Sequence, residues 1–204
     1  MKRQKEAKPA TINKELACLK CMLNKAIDWD KLDVNPVRRV KQLKEENRRL
    51  RYLEKEEIAK LLASCPPKLK SIVVLALQTG MRKSEIQNLK WRDIDFKQGH
   101  ICLLDQKNGE RSYVPLNEPA KYALMRVRKH PSSPYVFCKP NGETYNLRKS
   151  FETTLKKSGI LNFRFHDLRH TTASHLAMSG VDLNTIREIM RHKTMSMTLR
   201  YAHL

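Results

Sequence analysis

The chain has 204 residues, 40% of them hydrophobic, and carries 41 Lys and Arg against 21 Asp and Glu, a formal charge of +20 at pH 7. That length suits one well-packed domain plus a smaller appendage, and a charge of that sign and size attracts a polyphosphate. No run approaches the ~20 apolar residues of a membrane span, MKRQKEAKPATINKEL at the start lacks the apolar stretch of a signal peptide, and five irregularly spaced cysteines do not make a disulfide scaffold.

From Thr11 to Trp29 the residues Ile12, Leu16, Leu19, Leu23 and Ile27 advance by three or four, the spacing of one helix face. Cys18 and Cys21 fall inside this helix and read as part of its core rather than as metal or redox ligands, because no second Cys or His pair follows. Asn35-Pro36 ends the pattern. One helix cannot bury a core of its own, so this stretch is expected to be the last part of a domain that begins earlier. Residues 38 to 51, RRVKQLKEENRRLR, hold seven basic and two acidic side chains and read as a connector, either a solvated helix or an extended tether that tracks phosphates.

A compact domain is expected to begin near Tyr52. EKEEIAKLLASC predicts a helix with acidic residues in its first turn, and KLKSIVVLALQTG a buried helix closed by Gly80. MRKSEIQNLKWRDID reads as a further helix with Ile86, Leu89 and Trp91 on its apolar side. HICLLDQ and RSYVPL flank KNGE, where Asn108-Gly109 signals a hairpin. Helices are predicted over NEPAKYALMRVRKH and YNLRKSFETTLKKSG, with a short strand at YVF between them, and then over DLRHTTASHLAMSG, DLNTIREIM and MTLRYAHL. The fold class is α+β: mostly helical, with a small antiparallel sheet, preceded by a partial helical domain.

Taken singly, the chemically capable residues have ordinary readings. Arg82 follows Gly80 at a helix start, where a surface arginine is common, and Glu85 has the spacing of a same-face ion pair or of a carboxylate that orients the arginine. Lys107 at a hairpin edge suits a solvated turn. His166 and Arg169 share one helix turn, and His192 in a loop suits a backbone cap. Zinc binding by His166 and His170 is a poor reading, because the HExxH glutamate is absent.

Taken in order, TGMRKSEI, a lysine at a hairpin, HDLRH and RHKTMSMTLRY resemble the catalytic domain of the tyrosine recombinases, the phage integrases. The resemblance covers residues 50–204 and makes residues 1–49 the C-terminal part of a helical, SAM-like core-binding domain plus a basic linker. It implies Arg82, Lys107, His166, Arg169 and His192 as the activating set, Tyr201 as nucleophile and Glu85 in support. Arg38, Arg39, Arg48, Arg49, Arg51, Lys83 and Arg191 are candidate DNA contacts; Arg191 stands where the family usually has glycine. The implied partner is double-stranded DNA, with a tetramer on DNA for the full-length protein and a monomer when free, in the cytoplasm, with no membrane, metal or other cofactor.

The chemistry accords with this resemblance. Attack on a phosphodiester builds negative charge on the non-bridging oxygens, which two fork-shaped guanidiniums can bind. A phenol near pKa ~10 needs a base or nearby cations to attack, and His166 is the candidate base. A poor 5′-oxygen leaving group needs a proton, which Lys107 could deliver. The expected activity is site-specific cleavage and rejoining of DNA through a 3′-phosphotyrosine. The alternatives are a non-catalytic DNA-binding remnant or truncated integrase, and a type IB topoisomerase.

Overall fold

The computed structural model describes residues 6–45, 50–104 and 111–204. The chain divides into two units, residues 1–49 and 50–204.

In the first unit, helix α1 (Pro9–Asp28) starts on a proline, whose missing N–H costs nothing in the first turn. The chain then turns back, held by amide side chains rather than by a core. Asn35 Nδ2 donates to the carbonyl of Lys20 at 3.1 Å, and Lys20 Nζ donates to the carbonyl of Val40 at 2.7 Å. Asn13 accepts from Leu43 N and donates to Leu43 O, both at 2.8 Å. The described part of the basic connector is therefore a strap that opens in a turn at residues 36–39, where Arg38 and Arg39 are exposed, and runs on to residue 45 without helix or strand. One helix and one strap bury a single stripe, so Cys18 and Cys21 are exposed rather than part of a core, and Leu19 is 42% exposed.

The second unit is built on α3 (Pro67–Thr79), whose Leu69, Ile72, Val73, Leu75 and Ala76 are all buried. It packs against α5 (Glu118–Met125) on one side and α7 (Asp167–Met178) on another, while α2 (Lys55–Ser64) lies on α6 (Leu147–Ser158). Between α4 (Lys83–Gln87) and α5 sits an antiparallel sheet of order β1-β2-β3: Ile94–Asp95, His100–Leu104 and Arg111–Pro115. Ile101 pairs with Val114 and Leu104 with Arg111, so both strands turn one apolar side chain inward at Ile101 and Val114. Lys107 and the Asn108-Gly109 turn lie outside the described residues.

A large core surrounds α3, and a second, small one joins Ala173 of α7, Ile186 and Met190 of α8 (Leu183–Met190) and Tyr201. Helix α7 serves both: Leu168 faces the first and Ala173 the second.

Four expectations are corrected, the first two by backbone pairing. The helix from Lys83 stops at Gln87 because Leu89 O accepts from Val136 N at 2.9 Å and Trp91 N donates to Pro134 O at 3.0 Å, drawing the chain out of the spiral. The same pairing makes YVF a single bridge, Tyr135 with Lys90, rather than a strand. Helix α5 ends at Met125, before the basic run and Pro131, which disfavours helix in the residue preceding it. At the C-terminus, residues 195–204 form two 3₁₀ turns, Met195–Met197 and Leu199–Tyr201, in place of an α-helix containing MTLRYAHL.

Candidate active site

Gly80 closes α3 in the left-handed region at φ 59°, which lets the chain reverse directly into Arg82. Arg82 Nη1 donates to Glu85 Oε1 at 2.7 Å, and the Arg82 backbone N–H donates to Glu85 Oε2, also at 2.7 Å. The carboxylate three residues on thus fixes both ends of the arginine. Arg82 Nη2 also donates to the carbonyl of Arg191 at 3.0 Å.

Arg169, on α7, is 4% exposed. Its guanidinium donates to two carbonyls at the ends of other helices, Gly80 O after α3 and Met190 O at the end of α8. These are the orphan carbonyls a helix terminus leaves, and they favour a cation. Burial, then the neighbouring Arg82 and Arg191, bring its pKa down to about 10, with Glu85 opposing. At neutral pH it remains charged.

Arg191 is the left-handed residue that ends α8, at φ 52°. Its side chain is 12% exposed and turns inward, with Nη2 2.8 Å from Glu85 Oε2. The excursion expected of a free DNA contact is taken up by this ion pair. Arg51 is similarly occupied: its guanidinium pairs with Glu57 and lies over the Phe163 ring. Lys83 is half-buried on α4. Arg48 and Arg49 lie outside the described residues.

Tyr201 is 1% exposed and packs in the small core. Its hydroxyl lies 2.5 Å from His170 Nδ1, and its ring is stacked on His192, at 7° between planes and 6.4 Å between centroids. His192 Nδ1 is itself engaged by Thr198 Oγ1 at 2.8 Å. His166 meets the His170 ring edge-on at 5.1 Å.

The expected base, His166, occupies the N-cap of α7 and is exposed, while His170, one turn further in, faces the C-terminal 3₁₀ turn and makes the bond to Tyr201. His170 is the residue that sequence reasoning passed over. Its only signal was its i+4 spacing from His166, and nothing in the sequence says which of two histidines on one helix side the C-terminal turn will meet.

Desolvation governs this cluster. Burial pushes the Tyr201 phenol up to about 12, against the pull of Arg200 and Arg169. Burial likewise brings His170 down to about 4, helped by His166 and Arg200, and His192 down to about 4, helped by Arg169 and Arg82. His166 is lowered by partial desolvation and then by Arg169. The three rings are therefore neutral at pH 7 and able to accept protons or share them.

Arg82, Glu85, His166, Arg169, His192 and Tyr201 are thus assembled from four separate stretches of chain. Arg82 and Arg191 share one carboxylate and Arg169 lies near them, leaving an excess of positive charge beside a buried hydroxyl. Among the described residues no group of three His, Cys, Asp or Glu could hold a metal ion, and no helix is long and apolar enough to cross a membrane.

The chain is similar to several known proteins. The integrase of Salmonella phage P22 is 36% identical over 216 residues, covering 98% of this chain and 55% of that protein, so the chain spans about half its length. The tyrosine recombinase XerC of Pediococcus pentosaceus is 30% identical over 95% of this chain and 71% of its own length. Among solved structures, the Tn1549 transposon integrase in complex with circular intermediate DNA superposes with a TM-score of 0.79 at 25% identity, over 99% of this chain and 78% of that one. The profile of the phage integrase family matches residues 51–204, and the chain belongs to that family, the tyrosine recombinases.

Proposed function

We propose that the chain is the DNA-cleaving part of a site-specific recombinase, which breaks and rejoins duplex DNA through a covalent bond to Tyr201. The observation that carries this reading is the placement of the Tyr201 hydroxyl, bonded to a histidine, in the same cluster as the guanidiniums of Arg82 and Arg169.

In the proposed reaction the two guanidiniums hold the non-bridging oxygens of a scissile phosphate and stabilise the charge that grows there as Tyr201 Oη attacks phosphorus. The Oη–P bond forms, the P–O5′ bond breaks, and a histidine of α7 takes the phenol proton. The departing 5′ oxygen receives a proton from Lys107, and His166 and His192 donate hydrogen bonds to the phosphate. The product is a 3′-phosphotyrosine and a free 5′ hydroxyl. A second 5′ hydroxyl reverses the steps and seals a new junction, the phosphoester energy having been kept on the protein. The positive surface binds double-stranded DNA, and four copies of the full-length protein act together on it.

The test is covalent trapping. The protein and its Tyr201→Phe variant are incubated with nicked duplexes of randomised sequence, so that the cut fragment diffuses away, and detergent-resistant adducts are recovered and sequenced. Adducts formed only with Tyr201 are expected, drawn from a restricted set of sites. Adducts with the Phe variant, or none with either protein, would overturn the reading; DNA binding without adducts would leave a DNA-binding remnant in its place. Relaxation of supercoiled plasmid carrying no trapped site would point to a topoisomerase instead.

A further inference from the structure

The Tyr201 hydroxyl is enclosed, so whatever removes its proton must already touch it. Two histidines, His170 and His192, lie against the ring and a third, His166, lies behind His170; their geometry separates them. His192 lies parallel to the phenol, at 7° with ring centroids 6.4 Å apart, makes no hydrogen bond to Oη, and has its Nδ1 taken by Thr198. His166 is exposed at the start of α7 and touches the His170 ring, with no hydrogen bond to Tyr201. His170 alone of the three places a ring nitrogen on the hydroxyl, Nδ1 at 2.5 Å from Oη.

We infer that His170 is the catalytic base of the tyrosine attack, taking the phenol proton on Nδ1 as the Oη–P bond forms and returning it when the bond is reversed; this rests on the function proposed above. The groups facing His170 are His166, Asp167 and Arg169 from its own helix turn, His192 from the segment after α8, and Arg200 and Tyr201 from the C-terminal turn. At rest these surroundings and burial keep the imidazole neutral and the phenol protonated, so the pair is a hydroxyl donating to an unprotonated Nδ1, with the ring proton on Nε2. An incoming phosphodiester beside His166 and Arg169 brings a negative charge that stabilises the imidazolium, and bond formation at phosphorus acidifies the phenol. The proton therefore moves with the attack and not before it. His166 and His192 are left to the phosphate oxygens, and protonation of the 5′ oxygen is a separate step by a separate donor.

Two measurements test this. In the wild-type protein, nitrogen-15 chemical shifts of labelled histidine should show the Nε2–H tautomer for His170, identified by its disappearance in His170→Asn; an Nδ1–H tautomer would make the ring a donor to Tyr201 and overturn the inference whatever the variants do. In the trapping assay, His170→Asn and His170→Leu should bind DNA as the wild type does. Both should form adducts ~10²–10⁴-fold more slowly, the usual worth of a positioned base, with a rate that climbs with pH as hydroxide replaces the imidazole. Replacing the 5′ bridging oxygen by sulfur, which leaves without a proton, should not restore either variant. Recovery on the sulfur substrate would place His170 at the leaving group, recovery by Asn alone would reduce it to a positioning residue, and an unchanged rate in both variants would leave it no part in the chemistry; each overturns the inference. A wild type that forms no adduct fails the proposed function itself, and the inference with it.

Discussion

Arg191 and Glu85 meet across 106 residues of chain, guanidinium Nη2 to carboxylate Oε2 at 2.8 Å, while the other oxygen of the same carboxylate holds Arg82. Burial by itself would raise the Glu85 pKa, but Arg191 and the bonds from Arg82 outweigh it and hold the carboxyl below its ordinary value. Arg191 reaches this position from a backbone conformation that costs an L-residue roughly 1–2 kcal/mol.

Substitution at this position therefore sets two effects against each other. Arg191→Gly removes the left-handed strain together with the ion pair, whereas Arg191→Ala removes the pair and keeps the strain. Thermal melts should place the Ala variant below the Gly variant by about 1 kcal/mol, and both should form DNA adducts more slowly than the wild type because Arg82 loses a constraint on its carboxylate. An Ala variant as stable as the Gly variant would remove the strain account.

Gly80 is held at φ 59°, where a Cβ would come within 2.7 Å of Met190 Sδ and 2.9 Å of its Cε. Met190 is fully buried but its thioether is the far end of a flexible side chain, so the left-handed backbone carries most of the cost of a Cβ here and the displaced sulfur the rest. Gly80→Ala should destabilise the second unit by roughly 1–3 kcal/mol in chemical denaturation and slow adduct formation through Arg169. A variant of native stability would show that the α3 turn and Met190 are freer than their packing implies.

The three histidines make the fold sensitive to acid. Their folded pKa values lie below 6.5, so the folded state prefers neutral rings and the unfolded chain binds more protons. Stability should therefore fall as pH drops from about 6.5 toward 4, the value reached by His170 and His192. Glu85 acts in the same direction further down: its lowered pKa contributes stability above its unfolded value, and that contribution is lost as pH falls through the folded one. Urea melts from pH 7.5 to 4.5 should show the decline, and His192→Asn should flatten part of it. A stability flat across this range would contradict the burial of the rings.

If the exposed arginines of the strap contact DNA phosphates, each contributes to counterion release. Replacing Arg38 and Arg39 by alanine should weaken DNA binding similarly for all sequences and lessen the slope of log K against log salt by about 0.9 per lost phosphate contact. Arg51→Ala should act differently, lowering stability through the lost Glu57 pair while leaving the salt slope unchanged. Equal slopes for all three variants would contradict the distinction between exposed and engaged arginines.

Much of the architecture follows from local pattern. Periodic apolar residues mark α2, α3, α6, α7 and α8, and Gly80 and Gly159 mark the ends of two of them, because a helix face and a left-handed cap are properties of a few adjacent residues. Helix ends decided by distant pairing were not legible: Leu89 and Trp91 leave α4 to meet Val136 and Pro134, more than forty residues away. The two exposed cysteines of α1 show the same limit, since periodicity locates a face without saying how much of it a partner covers.

The sequence by itself determined the charge, the mostly helical α+β class and the set of Arg, His and Tyr residues able to handle a phosphate, because these depend on composition, spacing and motif. Tertiary structure decided how those residues divide the site: that His170 rather than His166 meets Tyr201, that Arg191 turns inward to Glu85, and that Arg169 sits on the carbonyl ends of two other helices. The physical reason is that hydrogen bonds and desolvation act between groups brought within a few ångströms by packing, and the residues concerned lie up to 106 positions apart in the chain.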